Sequence, residues 1–344
     1  MTGEQWTALT SLIAGEKQDQ ALTGFIIDSP WIPGWYGIST LEYYSSERSW
    51  MDANKKAIET FPDTIFLPGF WSEYGMCSEP SAFGAKSIWQ TNDLPHADRV
   101  ISDISQVPGM SCPDPASDGL LPFIIERLRK MEPEIIDMGH EIKFAVARGP
   151  LNIASFLMGT TELMLAIMLQ AEEVHKLMRI ITDFSKGWIQ LQKEAFPSID
   201  GILLLDDIVG FIAEPECKSF AVPYIKEIFQ SFDASVRFFH NDASGLVSTP
   251  YIGEMGVNLY NFSFEHSITE IRNLAGQDIA LLGNLPPRDV LASGTPDQVK
   301  EETIKMVQGV EDKQRIIWSC GGGMPQDVST QNINAFIETI QTTV

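Results

Sequence analysis

The chain is short of cysteine and of cations. Its four cysteines, Cys77, Cys112, Cys217 and Cys320, form no CxxC pair, so the sequence encodes neither a disulfide framework nor a zinc ribbon, and reduced thiols in the cytoplasm are expected. Lysine and arginine total 24 against 46 acidic residues, a formal charge of -22. That balance excludes a nucleic-acid groove, which needs a basic surface to neutralise phosphates. It also disfavours a polyanionic substrate unless a local cationic pocket exists. No stretch reaches the roughly 18 apolar residues of a membrane span, and the opening MTGEQWTALTSLIAGEKQDQ has no basic segment followed by an apolar one, so no signal peptide and no membrane partner are expected. Phosphate-binding loops of the GxGxxG or GxxxxGK[ST] type are missing, as are Gly/Ser linkers and low-complexity blocks.

What is present is a recurrence of short β-rich runs between helix-length segments. The runs are Gly24–Asp28, Thr64–Leu67, Lys143–Ala147, Gly201–Leu205, Val236–His240, Asn258–Ser263, Ile279–Leu282 and Arg315–Ser319. Runs of this length, apolar on both faces, suit buried parallel strands. Between them, Thr295-Pro296-Asp297-Gln298 carries a cap, a proline at the first helical position and a glutamine three residues after the cap, with Gly309 as the stop. From Thr160 to Phe196, Leu163, Ile167, Val174, Leu177, Met178 and Ile181 repeat near helical spacing. Eight strands alternating with helices predict a single α/β domain over residues 1–344, a (β/α)8 TIM barrel with a helical extension at about 1–22. A doubly wound open sheet is the alternative, disfavoured by the missing phosphate loops.

In such a barrel the residues just after each strand face the active site. Those positions hold Asp206 and Asp207, then His240, Asn241 and Asp242, then Ser263 and Glu265, Asn284, and Cys320 before Gly321–Gly323. An imidazole, a carboxylate and a thiolate make a three-ligand zinc set with an open position. The bland alternatives are a satisfied barrel histidine, a small buried cysteine and helix-capping aspartates at 206–207. Aromatics crowd the stretches after the first two strands, Trp35 and Tyr36 in one, Phe70 and Trp71 in the other. They suggest a neutral, flat or apolar substrate, or else packing at the mouth or at an oligomer contact.

The segments ARGPLNIASFLMG (147–159), LLLDDIVGFIAEPECKSFAVPYIKEI (203–228), FFHNDASG (238–245), LLGNLPPRDVLASGTPDQVKEETIKMV (281–307) and SCGGGMPQDVSTQNINAFIETI (319–340) together resemble the uroporphyrinogen decarboxylase superfamily. This (β/α)8 group also contains corrinoid-dependent methyltransferases. The resemblance covers most of the chain from about residue 140 onward. True decarboxylases of that group carry an arginine-rich motif after the first strand and an aspartate after the second. Here those places read DSPWIPGWYG (28–37), without an arginine, and LPGFW (67–71), without an aspartate, so decarboxylase activity is not expected. The methyltransferase branch is similar in binding zinc through a His-x-Cys motif and a cysteine in the last glycine-rich loop. Here the corresponding residues are His240 with Asp242, and Cys320. The carboxylate ligand is Asp242, or Asp206 from the neighbouring strand.

The resemblance implies a zinc methyltransferase that moves a methyl group from a small methylated substrate, foremost an aryl methyl ether, to the cob(I)alamin of a separate corrinoid protein. No DxHxxG motif for binding cobalamin occurs in this chain. Glu265, Asp207 and Glu79 are the candidate proton donors. Trp35, Tyr36, Phe70 and Trp71 are the candidate substrate contacts. The alternatives are a methyl-corrinoid:thiol transferase of the coenzyme M type and a non-catalytic binding barrel. Self-association as a homodimer is left open.

Overall fold

The structure is a computed structural model describing residues 1–344. Eight parallel strands carry the architecture: β1 (Gly24–Ile26), β2 (Ile65–Leu67), β3 (Phe144–Arg148), β4 (Gly201–Leu205), β5 (Val236–Asn241), β6 (Leu259–Phe262), β7 (Ala280–Leu285) and β8 (Ile316–Cys320). Each lies within a residue or a few of a run expected from the sequence. β3 to β8 pair in succession. β1 pairs with β2 and is joined to β8 through bridges Thr23–Trp318 and Ile26–Gly323. The strands therefore follow one another in a (β/α)8 arrangement, with no ladder between β2 and β3. Pro68, which has no N–H to offer, follows β2 directly. On the β3 side the chain start fills in instead: the Met1 amine donates to the Glu141 carbonyl and Thr2 bridges His140.

Strand periodicity sorts the side chains into two cores. An inner cluster of 16 residues includes Ile26, Ile65, Leu67, Phe144, Leu203, Val236, Phe238, Leu259, Ala280, Leu282 and Ile317. The alternate residues, among them Phe25, Phe66, Ile202, Leu204, Phe239, Tyr260, Leu281, Ile316 and Trp318, belong to an outer cluster of 79 packed under the helices. Each such fully buried apolar side chain stabilises the fold by roughly 1.5–3 kcal/mol. Helix α1 (Gly3–Ala14), started by a Thr2/Gln5 capping box, sends Leu9, Leu12 and Ile13 into the inner cluster. It thus covers the end opposite the strand C-termini.

Two local outcomes follow from caps and turns. Helix α2 (Pro296–Gln308) has the expected Thr295/Gln298 capping box. The apolar stretch 160–196 forms two helices rather than one, Thr160–Leu169 and Ala171–Ala195, because Gln170 leaves the helical region with φ -141 and ψ 47. The shorter helix leaves Leu165, Met168 and Leu169 exposed.

Candidate metal centre

The same alternation decides which strand-end residues look into the mouth. On β5, Val236 and Phe238 belong to the inner cluster, so His240 is next in the inward row. On β4, Leu203 points inward, which puts Asp207 inward and Asp206 outward. On β8, Ile317 is inward while Ile316, Trp318 and Cys320 belong to the outer cluster. One residue of register separates an active-site position from a packing position.

Asp207, His240 and Asp242 come together, with one potential ligand atom from each within 4.8 Å of the others. His240 is buried, Asp207 half-buried and Asp242 exposed, so the cluster opens to the mouth. The imidazole is oriented from behind. Asn261 Nδ2 donates to the Leu282 carbonyl at 2.8 Å, which leaves its Oδ1 to accept from His240 Nδ1 at 2.7 Å. With the proton on Nδ1, the Nε2 lone pair faces Asp207 Oδ1 at 3.7 Å. The Asp242 amide donates to that same oxygen at 3.1 Å. A Cβ added to Gly322 would lie 2.5 Å from Asp242 Oδ2, so the bare glycine gives the carboxylate its room. Burial raises the Asp207 pKa above the usual carboxylate range; His240 opposes the shift and the neighbouring Asp242 charge adds to it. Two carboxylates beside an imidazole, with no guanidinium or ammonium in salt-bridge reach, form a donor set that a divalent cation satisfies.

The remaining expected site residues lie elsewhere. Asp206 is fully buried and accepts from the amides of Leu151 at 2.9 Å and Asn152 at 3.1 Å, capping helix α3 (Pro150–Met158). Burial raises its pKa, and its oxygens are directed at backbone N–H groups, not at His240. Cys320 sits outside the three-residue cluster. Its thiol, pushed up to about 12 chiefly by burial, donates to the Gly322 carbonyl at 3.6 Å. Glu265 is exposed at the rim. Glu79 is buried in an ion pair with Arg148 at 3.2 Å.

Among the aromatics, Trp35 packs on Trp31 and Phe61 and donates to Thr330 Oγ1 at 3.0 Å, within the helix layer. Phe70 packs on Trp50 and His140 in the outer core, and Trp71 lies in the inner cluster. Tyr36 is exposed. The surface aromatics in loops next to the candidate ligands are instead Phe211 and Phe264. Phe264 packs on Gly321, in the glycine-rich loop that reaches Asp242. Both follow the ends of strands, β4 and β6, which is the signal that marks them in the sequence.

Next to the cluster, at the end of the strand that pairs with β4, the mouth holds a second polar group that strand-end reading missed in part. Arg148, the inward residue at the end of β3, donates to Glu73 at 2.9 Å and to Glu79 at 3.2 Å, all three buried. Beside them, between the loops after β1, β7 and β8, opens a cavity of about 640 Å³ lined by Ser29, Arg288 and Asp327 among others.

A family model described as uroporphyrinogen decarboxylase (URO-D) matches residues 37–343. The chain belongs to this family. Curated uroporphyrinogen decarboxylases align with it at low identity: that of Chloroherpeton thalassium is 25% identical over 178 residues, 49% of each chain. That of Chlorobaculum tepidum is 24% identical over 240 residues, 66% of this chain and 67% of the relative. The chain thus spans about half the length of the first of these relatives. Among solved structures, a methyltransferase from Methanosarcina mazei superposes with a TM-score of 0.81 at 16% identity, covering 98% of both chains. A B12-independent methionine synthase from Shewanella reaches 0.54 at 10% identity, covering 93% of this chain and 96% of that one. At these identities the likenesses show a shared fold. In the mouth Arg148 is engaged by two glutamates, while Arg288, in the wall of the neighbouring cavity, makes no ion pair. No single helix is long and apolar enough to cross a membrane.

Proposed function

We propose that the protein is a metal-dependent methyltransferase that removes a methyl group from a small methyl ether, foremost an aryl one, and passes it to the cob(I)alamin of a separate corrinoid protein. The observation that carries this reading is the Asp207–His240–Asp242 cluster at the strand ends. Its histidine is oriented through Asn261, and no protein cation neutralises its carboxylates. Zinc bound there supplies Lewis acidity toward an ether oxygen, whose alkoxide or phenolate is otherwise a poor leaving group. The chain contributes His240 Nε2 and the two carboxylates as ligands and keeps the imidazole in one tautomer through Asn261. It also leaves the mouth side of the cluster open for substrate. A donor set without thiolate favours a harder oxygen ligand over a soft thiol. The fold shared with the Methanosarcina methyltransferase agrees with this reading, and the engaged Arg148 argues against a substrate bearing many carboxylates.

The test combines metal analysis with turnover. The purified protein should carry about one zinc per chain after reconstitution, and with a methoxylated aromatic it should convert added cob(I)alamin to methylcobalamin, read by absorbance. A protein that binds no divalent metal, or that binds it and moves no methyl group from any ether, defeats the proposal.

A further inference from the structure

The cavity between the loops after β1, β7 and β8 stands apart from the metal cluster, since none of Asp207, His240 and Asp242 lines it. Its volume of about 640 Å³ is that of a small-molecule pocket. The wall carries three charged side chains, Arg288, Asp93 and Asp327. All three are exposed, and none makes an ion pair, either with one another or with any other residue. Arg148 next door shows the contrast, its guanidinium taken up by Glu73 and Glu79. Asn92 and Gln326 add side-chain amides without a hydrogen-bond partner in the protein.

The backbone behind these groups is held in place. Arg288 sits on the helical turn Pro287–Ala292, and Asn332 Nδ2 donates to the Leu291 and Gly294 carbonyls at 2.8 Å each, tying that turn to the last helix. Asp327 has φ 66, a left-handed conformation that aspartate tolerates, and the carbonyl of the next residue, Val328, accepts from Trp31 Nε1 at 3.0 Å. The Asn92 carbonyl accepts from Thr40 Oγ1 at 3.1 Å. Ser29, also in the wall, accepts from Tyr44 Oη at 2.5 Å and donates to Glu73 Oε1 at 3.4 Å. Four stretches distant in sequence thus face one space, and a ligand there has only side-chain ends to order.

Charge decides what fits. A simple anion gains Arg288 but meets Asp93 and Asp327 in the same cleft, on a chain of formal charge -22. A simple cation gains the carboxylates but meets the guanidinium. A molecule carrying both charges answers both, and a cleft focuses these fields more than a flat surface does. The guanidinium fork matches a carboxylate in bidentate geometry, and an ammonium group has the donors that aspartates accept. We propose that the cavity is a binding site for a small zwitterion, its carboxylate on Arg288 and its ammonium with the aspartates, the class to which free amino acids belong. The site uses no metal ligand, and it goes beyond the methyl-transfer reading without depending on it.

Calorimetric titration of the whole chain with L-serine, 4-aminobutyrate and 6-aminohexanoate tests this, because these probes carry the same two charges at increasing separation. At least one should bind saturably, at one site per chain, below about 10 mM. Butyrate and butylamine, with a single charge each, should bind at least about tenfold more weakly, and so should the zwitterion to Arg288→Gln and to Asp327→Asn, the loss expected of one charge-assisted hydrogen bond. Both residues are exposed and unpaired, so both variants should keep the wild-type melting temperature and zinc content. No saturable binding of any probe overturns the proposal. Butyrate or butylamine binding as well as the zwitterion overturns the ligand class, and an affinity unchanged in Arg288→Gln overturns the location. A protein that binds a zwitterion yet moves no methyl group defeats the methyl-transfer reading and leaves this site standing.

Discussion

Two groups of carboxylates occupy the same mouth, built from the same kind of position, and they are in opposite states. On the β3 side Glu73 and Glu79 are buried around Arg148 and satisfied by it. On the β4–β5 side Asp207 and Asp242 stand by His240 with no cation in ion-pair reach. The first group has its counter-charge within the fold. The second lacks a positive charge, and a metal ion supplies it. What a carboxylate does in this protein is set by its counter-charge rather than by its position at a strand end.

The comparison breaks most visibly if the built-in cation is removed. Arg148→Met strands two buried glutamates, and an unfolding free energy lower by about 3–5 kcal/mol is expected in chemical denaturation, the size found when one partner of a buried ion pair is lost. If stability hardly changes, the two groups are not opposites. Removing His240 acts on the other side. His240→Ala should abolish stoichiometric metal by elemental analysis and lower the stability of the metal-free fold by only about 1–3 kcal/mol, the cost of the buried Asn261 oxygen left without its donor. Loss of the orienting partner is milder: Asn261→Ala should weaken metal affinity by roughly 10–100-fold in a competition titration, about 1.4–2.7 kcal/mol.

Smaller effects separate ligands from neighbours. Asp206→Ala should lower stability by about 1–2 kcal/mol through the lost cap without changing metal affinity. A loss of metal with stability intact would return Asp206 to the ligand set. For Asp207 the sign reverses. Its folded pKa lies above the unfolded one, so the metal-free fold binds more protons than the unfolded chain and loses stability as pH rises from the unfolded value through the folded one. Asp207→Asn should therefore stabilise the metal-free protein slightly at pH 7, by a few tenths of a kcal/mol, while abolishing metal binding. A melting curve with and without zinc reads both.

Much of this is legible in the sequence. The eight strands were readable because each is a short apolar run between helical segments, and the capping box at Thr295 because its chemistry is local. His240, Asp242 and Asp207 stood out as polar residues after strands. Asp206 and Cys320 read in the sequence as ligands beside His240; the structure directs Asp206 at two amides, and Cys320, an outer-cluster residue, feels the Asp242 charge without belonging to the three-residue cluster. The difference is one residue of strand register, and a run that is apolar on both faces carries no alternation from which to read it. The aromatics Trp35, Phe70 and Trp71 read as a substrate wall in the sequence because they follow strands. Trp35 and Phe70 pack with the outer cluster and Trp71 with the inner one, and their order along the chain does not record which layer each enters.

By itself the sequence determined the element order, the caps and the acidic, cation-poor character of the strand ends, since these depend on periodicity, local chemistry and composition. Only the tertiary structure decided which carboxylates meet a guanidinium and which meet an imidazole. Glu73, Glu79 and Arg148 are up to 75 residues apart, and Asp207 and Asp242 of the metal cluster are 35 apart, at the ends of two strands. Electrostatic free energy depends on distances of a few ångströms, and nothing along the chain records them.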